Sequence, residues 1–430
     1  MSFSPVLALY RGATATLGLF AGAYLDSRAR RGKEDPARLG ERFGRYARAR
    51  PAGPLVWLHG ASVGESGVAL QLIEALAARD ASLCFLLTTG TRTSADLVAR
   101  RAPPRTTHVY APLDRSDCVR RFLTHWRPDL GVFVESELWP NLILEAQAAG
   151  VKLALVNARM SPKTLARWRG WRAAGERLTR AFSVATAADA RTSDTLSALR
   201  GVSTPALGNL KLAAPAPRVD ARARAGLAAQ IGARPLWLAA STHAGEDAIV
   251  LQAHEILRQS FPDPLLIIVP RHPERGPDIS QLAGGAPMRS RSETLAGPCY
   301  VADTMGEMGL FYDLAPVALV AGSLAPHLKG HNPVEPAKLN AAIVTGPYVE
   351  SFQDLFDALF AAGGARKVTD AASLAAAVAD LLRDDARRVA QIARAREVAD
   401  QGAGALDETV RQLATLLPAR ATPKAADASA

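Results

Sequence analysis

From residue 54 onward the chain alternates short apolar runs with stretches of helical spacing, and it does so twice. Segments 54–59, 83–88, 107–111, 130–134, 153–157 and 182–186 read as strands, with helices over 66–78, 93–102, 115–125 and 140–149 between them. Such alternation predicts a parallel, doubly wound sheet. The pattern lapses over 204–235, where Ala, Pro, Arg and Gly suggest an interdomain linker. It resumes with strands at 236–241, 264–269, 298–302, 317–321 and 341–345, and helices at 246–259, 351–362, 371–383 and 386–400. A length of 430 residues suits two such domains better than one. The expected class is therefore α/β, with two Rossmann-like domains facing a cleft and ligands beyond the carboxyl ends of the strands.

Charge is concentrated. Residues 1–50 carry ten basic side chains against four acidic ones, and residues 152–180 carry eight against Glu176 alone, so the rest of a +10 chain sums to −3. Nucleic acid, an anionic membrane surface or an anionic substrate fits two such patches. Residues 12–25 are uncharged, and extending back through Arg11 to Pro5 gives an apolar stretch of 21 residues. Basic residues follow it rather than precede it, which favours an uncleaved anchor, spanning or interfacial, over a signal peptide. Arg28, Arg30, Arg31 and Lys33 would keep the following domain cytoplasmic. An apolar helix packed on the body is the alternative. Three widely spaced cysteines, Cys84, Cys118 and Cys299, exclude a disulfide scaffold or a Cys-based zinc site and suit a reducing compartment.

The motifs fall at strand ends. Ser62-Val63-Gly64-Glu65 fits a capping box, or delivers a carboxylate to the cleft as a general base. Glu135-Ser136-Glu137-Leu138-Trp139-Pro140-Asn141 places two carboxylates at one strand end, either a solvated loop or an acidic wall facing a centre that becomes positive. Gly208-Asn209-Leu210-Lys211 sets a cation at the domain junction. Ser241-Thr242-His243 opens a loop with backbone donors suited to phosphate, and Glu246 three residues on makes a metal pair conceivable, although no third ligand is evident nearby. Arg271-His272-Pro273-Glu274-Arg275 offers cations for phosphate or carboxylate, or a salt-bridged loop. In Gly330-His331-Asn332-Pro333-Val334-Glu335, Asn332 suits an N-cap, Pro333 the first helical position and Glu335 the third.

Together with Asn157-Ala158-Arg159, these motifs resemble the 3-deoxy-D-manno-octulosonic acid (Kdo) transferases of lipopolysaccharide assembly, in one order from about residue 5 to 415. The resemblance implies the glycosyltransferase B-type fold with an N-terminal membrane-anchoring helix. It implies inverting transfer of Kdo from CMP-Kdo to a hydroxyl of the lipid A precursor, lipid IVA, at the cytoplasmic face of the inner membrane. No cofactor, metal or nucleic acid is implied. The division it suggests is an anchor and basic segment at 1–50, an acceptor-binding domain at 51–210, a CMP-Kdo-binding domain at 211–418 and a disordered tail at 419–430. Carried over residue by residue, Glu65 would be the general base and Glu137 would stabilise the reacting centre or orient the acceptor. Lys211 and Arg271 would hold the CMP phosphate or the Kdo carboxylate. Ser241, Thr242, His243 and His272 would line the donor site, with Asn332 and Glu335 fixing CMP. Ser62, Gly64 and the cations Arg167, Arg169 and Arg172, interleaved with Trp168 and Trp171, would face the anionic acceptor. Lys329 stands where the family usually has the first of two glycines.

Two rival readings use the same architecture: a B-type transferase with a UDP-sugar donor, and a non-catalytic nucleotide-binding protein at the membrane. The paired Ser-Val-Gly-Glu and Glu-Leu-Trp-Pro motifs weigh against the first, and retention of Glu65 and Glu137 against the second.

Overall fold

The computed structural model describes residues 4–135, 138–214 and 216–418. Glu137 and the tail 419–430 lie outside them. The chain divides into two units, Met1–Ala213 with Gly404–Ala430, and Ala214–Ala403.

In the first unit six strands, β1 (Leu55–His59), β2 (Cys84–Thr89), β3 (Thr106–Tyr110), β4 (Leu130–Val134), β5 (Lys152–Ala158) and β6 (Val184–Ala187), form one sheet in the order β3-β2-β1-β4-β5-β6. Every pairing in it is parallel. Both faces are covered, so successive residues of one strand enter different cores, as parallel sheets require. Trp57, Leu86, Phe133 and Leu155 meet Phe122 and Trp126 on one face, while Val56, Leu58, Val132 and Val156 meet Leu72 and Leu76 on the other. Gly131 makes room for the Trp57 ring, because a Cβ there would sit 3.1 Å from the indole and 2.9 Å from Leu153. The indole Nε1–H donates to Thr88 Oγ1 at 2.9 Å, so its burial leaves no polar group orphaned. From Gly404 the chain returns to this unit, with Ala405, Val410 and Leu413 in its core.

The second unit repeats the plan with β7 (Leu236–Thr242), β8 (Leu265–Pro270), β9 (Cys299–Val301), β10 (Val317–Val320), β11 (Ala342–Thr345) and β12 (Ala365–Lys367), ordered β12-β11-β10-β7-β8-β9 and again parallel. The expected doubly wound α/β architecture is thus present in both halves. The segment expected to be a linker is more ordered than its composition suggests. Within 204–235, Asp220 caps the helix Ala221–Ile231 by accepting from the N–H groups of Arg222 and Ala223, and Leu227 and Ile231 enter the second core.

The N-terminal stretch forms α1 (Pro5–Leu17) and α2 (Ala21–Arg30), joined by a 3-10 turn at Gly18–Phe20. Pro5–Arg30 is long and apolar enough to cross a membrane by length and composition, and only 6% of its most apolar window is buried. Its polar side chains nonetheless engage the body. Tyr10 Oη donates to Asp114 at 2.8 Å, Asn141 Nδ2 to Thr14 Oγ1 at 3.1 Å, Arg115 Nη1 to the Gly18 carbonyl at 2.9 Å, and Arg11 pairs with Glu145. Leu9, Leu17, Leu19 and Phe20 remain exposed.

Candidate functional site

At the carboxyl end of β1 the chain turns through Gly60-Ala61-Ser62 into the helix Val63–Arg79. Ser62 Oγ accepts from the Glu65 N–H at 3.3 Å and donates to Glu65 Oε1 at 2.9 Å, while the Ala61 N–H donates to Oε2 at 2.6 Å. The capping box expected from Ser-x-x-Glu is formed, and it fixes the rotamer of a buried carboxylate at a helix N-terminus.

Lys211 reaches the same place. Its ammonium lies 2.6 Å from Glu135 Oε1, and its side chain passes over Gly64, where a built Cβ would sit 3.2 Å from Lys211 Cε. Two asparagines set it there. Asn209 Oδ1 accepts from the Lys211 N–H at 3.0 Å, and the buried Asn157 Oδ1 accepts from the Leu210 N–H at 2.9 Å. Asn157 has φ +53° where the β5–β6 register shifts, and Glu135 has φ +61° just after β4. Left-handed non-glycine residues at strand ends are strained positions of the kind that aim side chains at sites. Ser62, Gly64, Glu65, Glu135, Asn157 and Lys211 therefore converge within the first unit. Glu135 was visible in the sequence as half of an acidic pair, but nothing local marked it as the partner of a lysine 76 residues away.

In the second unit Ser241, φ +63°, occupies the register shift at the end of β7; Thr242 closes the strand opposite Pro270, and His243 follows it. The His243 ring stacks on His331 with centroids 5.1 Å apart, their Nε2 atoms 3.0 Å apart, and His272 packs edge-on at 5.9 Å. Burial holds His331 down at about 4, assisted by His243 and the nearby Arg271 and His272; His243 is lowered chiefly by burial as well. An Nε2–Nε2 hydrogen bond needs one donor and one acceptor, so these depressed values keep the pair intact near neutrality. The Arg271 N–H donates to the Thr242 carbonyl at 3.0 Å, and both Arg271 and His272 are exposed beside the pair.

Glu246 is not a metal partner of His243. Its carboxylate is 1% exposed and takes four backbone donors: the N–H groups of His243 at 3.0 Å and Gly322 at 2.8 Å on Oε2, and of Ser323 at 2.9 Å and Leu324 at 3.0 Å on Oε1. It ties the loop after β10 to the loop after β7. Gly322, φ +69°, has no space for a side chain, since a Cβ would fall 2.5 Å from the His331 ring. Lys329 takes φ +61°, which explains why a glycine suits that position. The helix expected to start with Asn332 as N-cap runs over Val334–Lys338, one residue later, with Pro333 at the cap. Asn332 Oδ1 still accepts from the Val334 N–H at 3.0 Å. Glu335 is half-buried and, after burial itself, contributes to holding the Tyr312 phenol well above its usual range.

Arg167, Arg169 and Arg172 are exposed on the helices Pro162–Gly170 and Arg172–Thr179. Arg167 lies over the Trp171 ring at 5.9 Å, and Arg172 pairs with Glu176 at 2.8 Å. Arg169 and Arg172 line a surface hollow with Asp194 and Thr195, not the Glu65 turn.

Residues 37–214 match the family model of 3-deoxy-D-manno-octulosonic-acid transferase (kdotransferase). The chain is 35% identical over 394 residues to the 3-deoxy-D-manno-octulosonic acid transferase of Bordetella pertussis, covering 88% of this chain and 90% of that one. It is 33% identical over 376 residues to the probable mitochondrial 3-deoxy-D-manno-octulosonic acid transferase of Arabidopsis thaliana, covering 82% of each. The crystal structure of a glycosyltransferase from Rickettsia africae shares the fold with a TM-score of 0.52 at 10% identity, covering 85% of this chain and 99% of that chain. The chain has the glycosyltransferase B-type fold and belongs to the 3-deoxy-D-manno-octulosonic acid transferase family.

Proposed function

We propose that this glycosyltransferase moves Kdo from CMP-Kdo to a hydroxyl of the lipid A precursor, lipid IVA, with inversion at the anomeric carbon. The observation that carries the reading is the Glu65 carboxylate, held by Ser62 and the Ala61 N–H at a helix N-terminus beside Lys211. The acceptor oxygen attacks the anomeric carbon and gives its proton to Glu65. The bond from that carbon to the phosphate oxygen breaks, and CMP departs with the electron pair. A phosphate leaving group needs no strong acid, but the donor carries two anionic groups and needs cations. Arg271 and Lys211 supply them, and a Kdo carboxylate would compete with Glu135 for Lys211. Ser241, Thr242, His243, His272, Asn332 and Glu335 hold the rest of CMP-Kdo on the second unit. Glu137, two residues after Glu135 in sequence, stabilises the reacting centre or orients the acceptor, the roles the resemblance implies for it. The exposed Arg167, Arg169 and Arg172 meet the acceptor's phosphates at the membrane face.

The enzyme works at the cytoplasmic face of the inner membrane, with α1 and α2 in the interface rather than across the bilayer. Support comes from the line of polar bonds from Tyr10, Arg11, Thr14 and Gly18 to the body, which a helix surrounded by lipid could not make.

The test is purified protein with CMP-Kdo generated in situ and a tetra-acylated lipid A precursor, read by mass. The reading expects one or more Kdo additions with CMP-Kdo and none with a UDP-sugar. No added mass overturns it.

A further inference from the structure

An apolar groove runs between the N-terminal helices and the body of the first unit, in two lobes of about 380 and 260 Å³ that share Tyr24, Leu113, Asp114 and Trp139. The outer lobe is bounded by Leu17, Phe20 and Ala21 and opens onto the exposed apolar ridge of α1. The inner lobe passes Ala111 and Leu142 and ends at His59 and Ala61, the turn whose N–H holds Glu65.

The wall's charged side chains are engaged by protein partners. Glu34 accepts from Arg28 at 2.9 Å and from Arg42 at 2.9 and 3.1 Å. Asp114 accepts from Tyr10 Oη at 2.8 Å and from the Leu142 N–H at 2.7 Å. Arg115 donates to Gly18 and pairs with Asp117. A headgroup phosphate entering here would have to displace protein partners, whereas hydrocarbon meets Leu, Ala, Tyr and Trp side chains. One end of the groove is an exposed apolar ridge and the other is the turn that positions the proposed base.

The geometry points to an acyl chain of the lipid acceptor as the occupant. Resting on the proposed function, the groove takes one chain from the membrane ridge towards the Ala61 turn and so delivers the sugar hydroxyl to Glu65. The groove also makes the acceptor's acylation a specificity determinant, read by residues on α1, α2 and the loop after β3.

The test fills the groove with Ala21→Trp and, separately, Leu113→Trp, and compares two acceptors with the same disaccharide headgroup, one acylated and one fully deacylated. The expected result is a KM for acylated acceptor raised at least tenfold, with kcat/KM for the deacylated acceptor within twofold of wild type. That second measurement also shows that the variants fold. Wild-type behaviour on both acceptors, or equal loss on both, overturns the proposal. A second reading needs no turnover: an acceptor bearing a photoreactive acyl chain should label residues 17–24 and 111–115. Labelling of that segment by a photoreactive phospholipid that the acceptor does not compete away would assign the groove to a bilayer lipid and overturn the proposal. Transfer to neither acceptor by wild type, with labelling intact, would refute the proposed function and leave the groove assignment standing.

Discussion

His254 accepts the Trp237 Nε1–H through Nδ1 at 3.1 Å, a bond that only the unprotonated nitrogen can make. Burial pushes this imidazole down to about 4, against an ordinary 6.5, with Arg258 adding to the effect. The unfolded chain therefore binds a proton that the folded chain refuses between those values. Stability rises with pH across that window and is lost as pH falls through it. His331, at about 4, and His108, at about 3, act in the same direction. Denaturant unfolding should show the protein less stable at pH 5 than at pH 7 by about 1–3 kcal/mol. His254→Asn should reduce that difference, and an unchanged difference would contradict the assignment. At this scale legibility was uneven. Ser62 and Glu65 could be read because both partners of a capping box lie within four residues. The role of Glu246 could not, because its partners at Gly322, Ser323 and Leu324 lie more than 70 residues downstream.

Among the elements, buried parallel strands were the most legible, since burial on both faces leaves continuous apolar runs such as Leu55–His59 and Leu265–Pro270. The strand Ala365–Lys367 was missed because a three-residue edge strand with Arg366 and Lys367 carries no such run. The helices Pro162–Gly170 and Arg172–Thr179 were hidden by their arginines, and Ala221–Ile231 by its place among prolines. The sequence left α1 open between spanning, interfacial and packed. Its polar bonds to the body, its exposed Leu9, and the exposed Leu19 and Phe20 in the turn after it favour the interfacial reading. Replacing both Leu19 and Phe20 by Asp should cut co-flotation with anionic lipid vesicles at least tenfold, because each apolar side chain contributes on the order of 1.5–3 kcal/mol on burial. The thermal midpoint should hold, since both residues are already exposed. Undiminished flotation would contradict interfacial binding through this ridge.

Across the whole molecule, two units of one architecture carry very different charge. Both basic blocks, at 1–50 and 152–180, belong to the first unit, which also holds Glu65, Lys211 and the apolar groove. The second unit holds the His243–His331 pair and Arg271, a few placed groups of the kind a nucleotide sugar needs. This asymmetry fits the proposed transfer from a soluble donor to an anionic lipid. The proposed transfer turns on Glu65 removing the acceptor's proton. Glutamine at this position can keep the capping box while losing the base. The decisive measurement is the rate of Kdo transfer by Glu65→Gln beside wild type, with thermal midpoint and CMP affinity recorded on the same samples. The expected result is a fall of about 10²–10⁴-fold in rate with the other two unchanged. A Glu65→Gln enzyme transferring Kdo within a few-fold of wild type would contradict it.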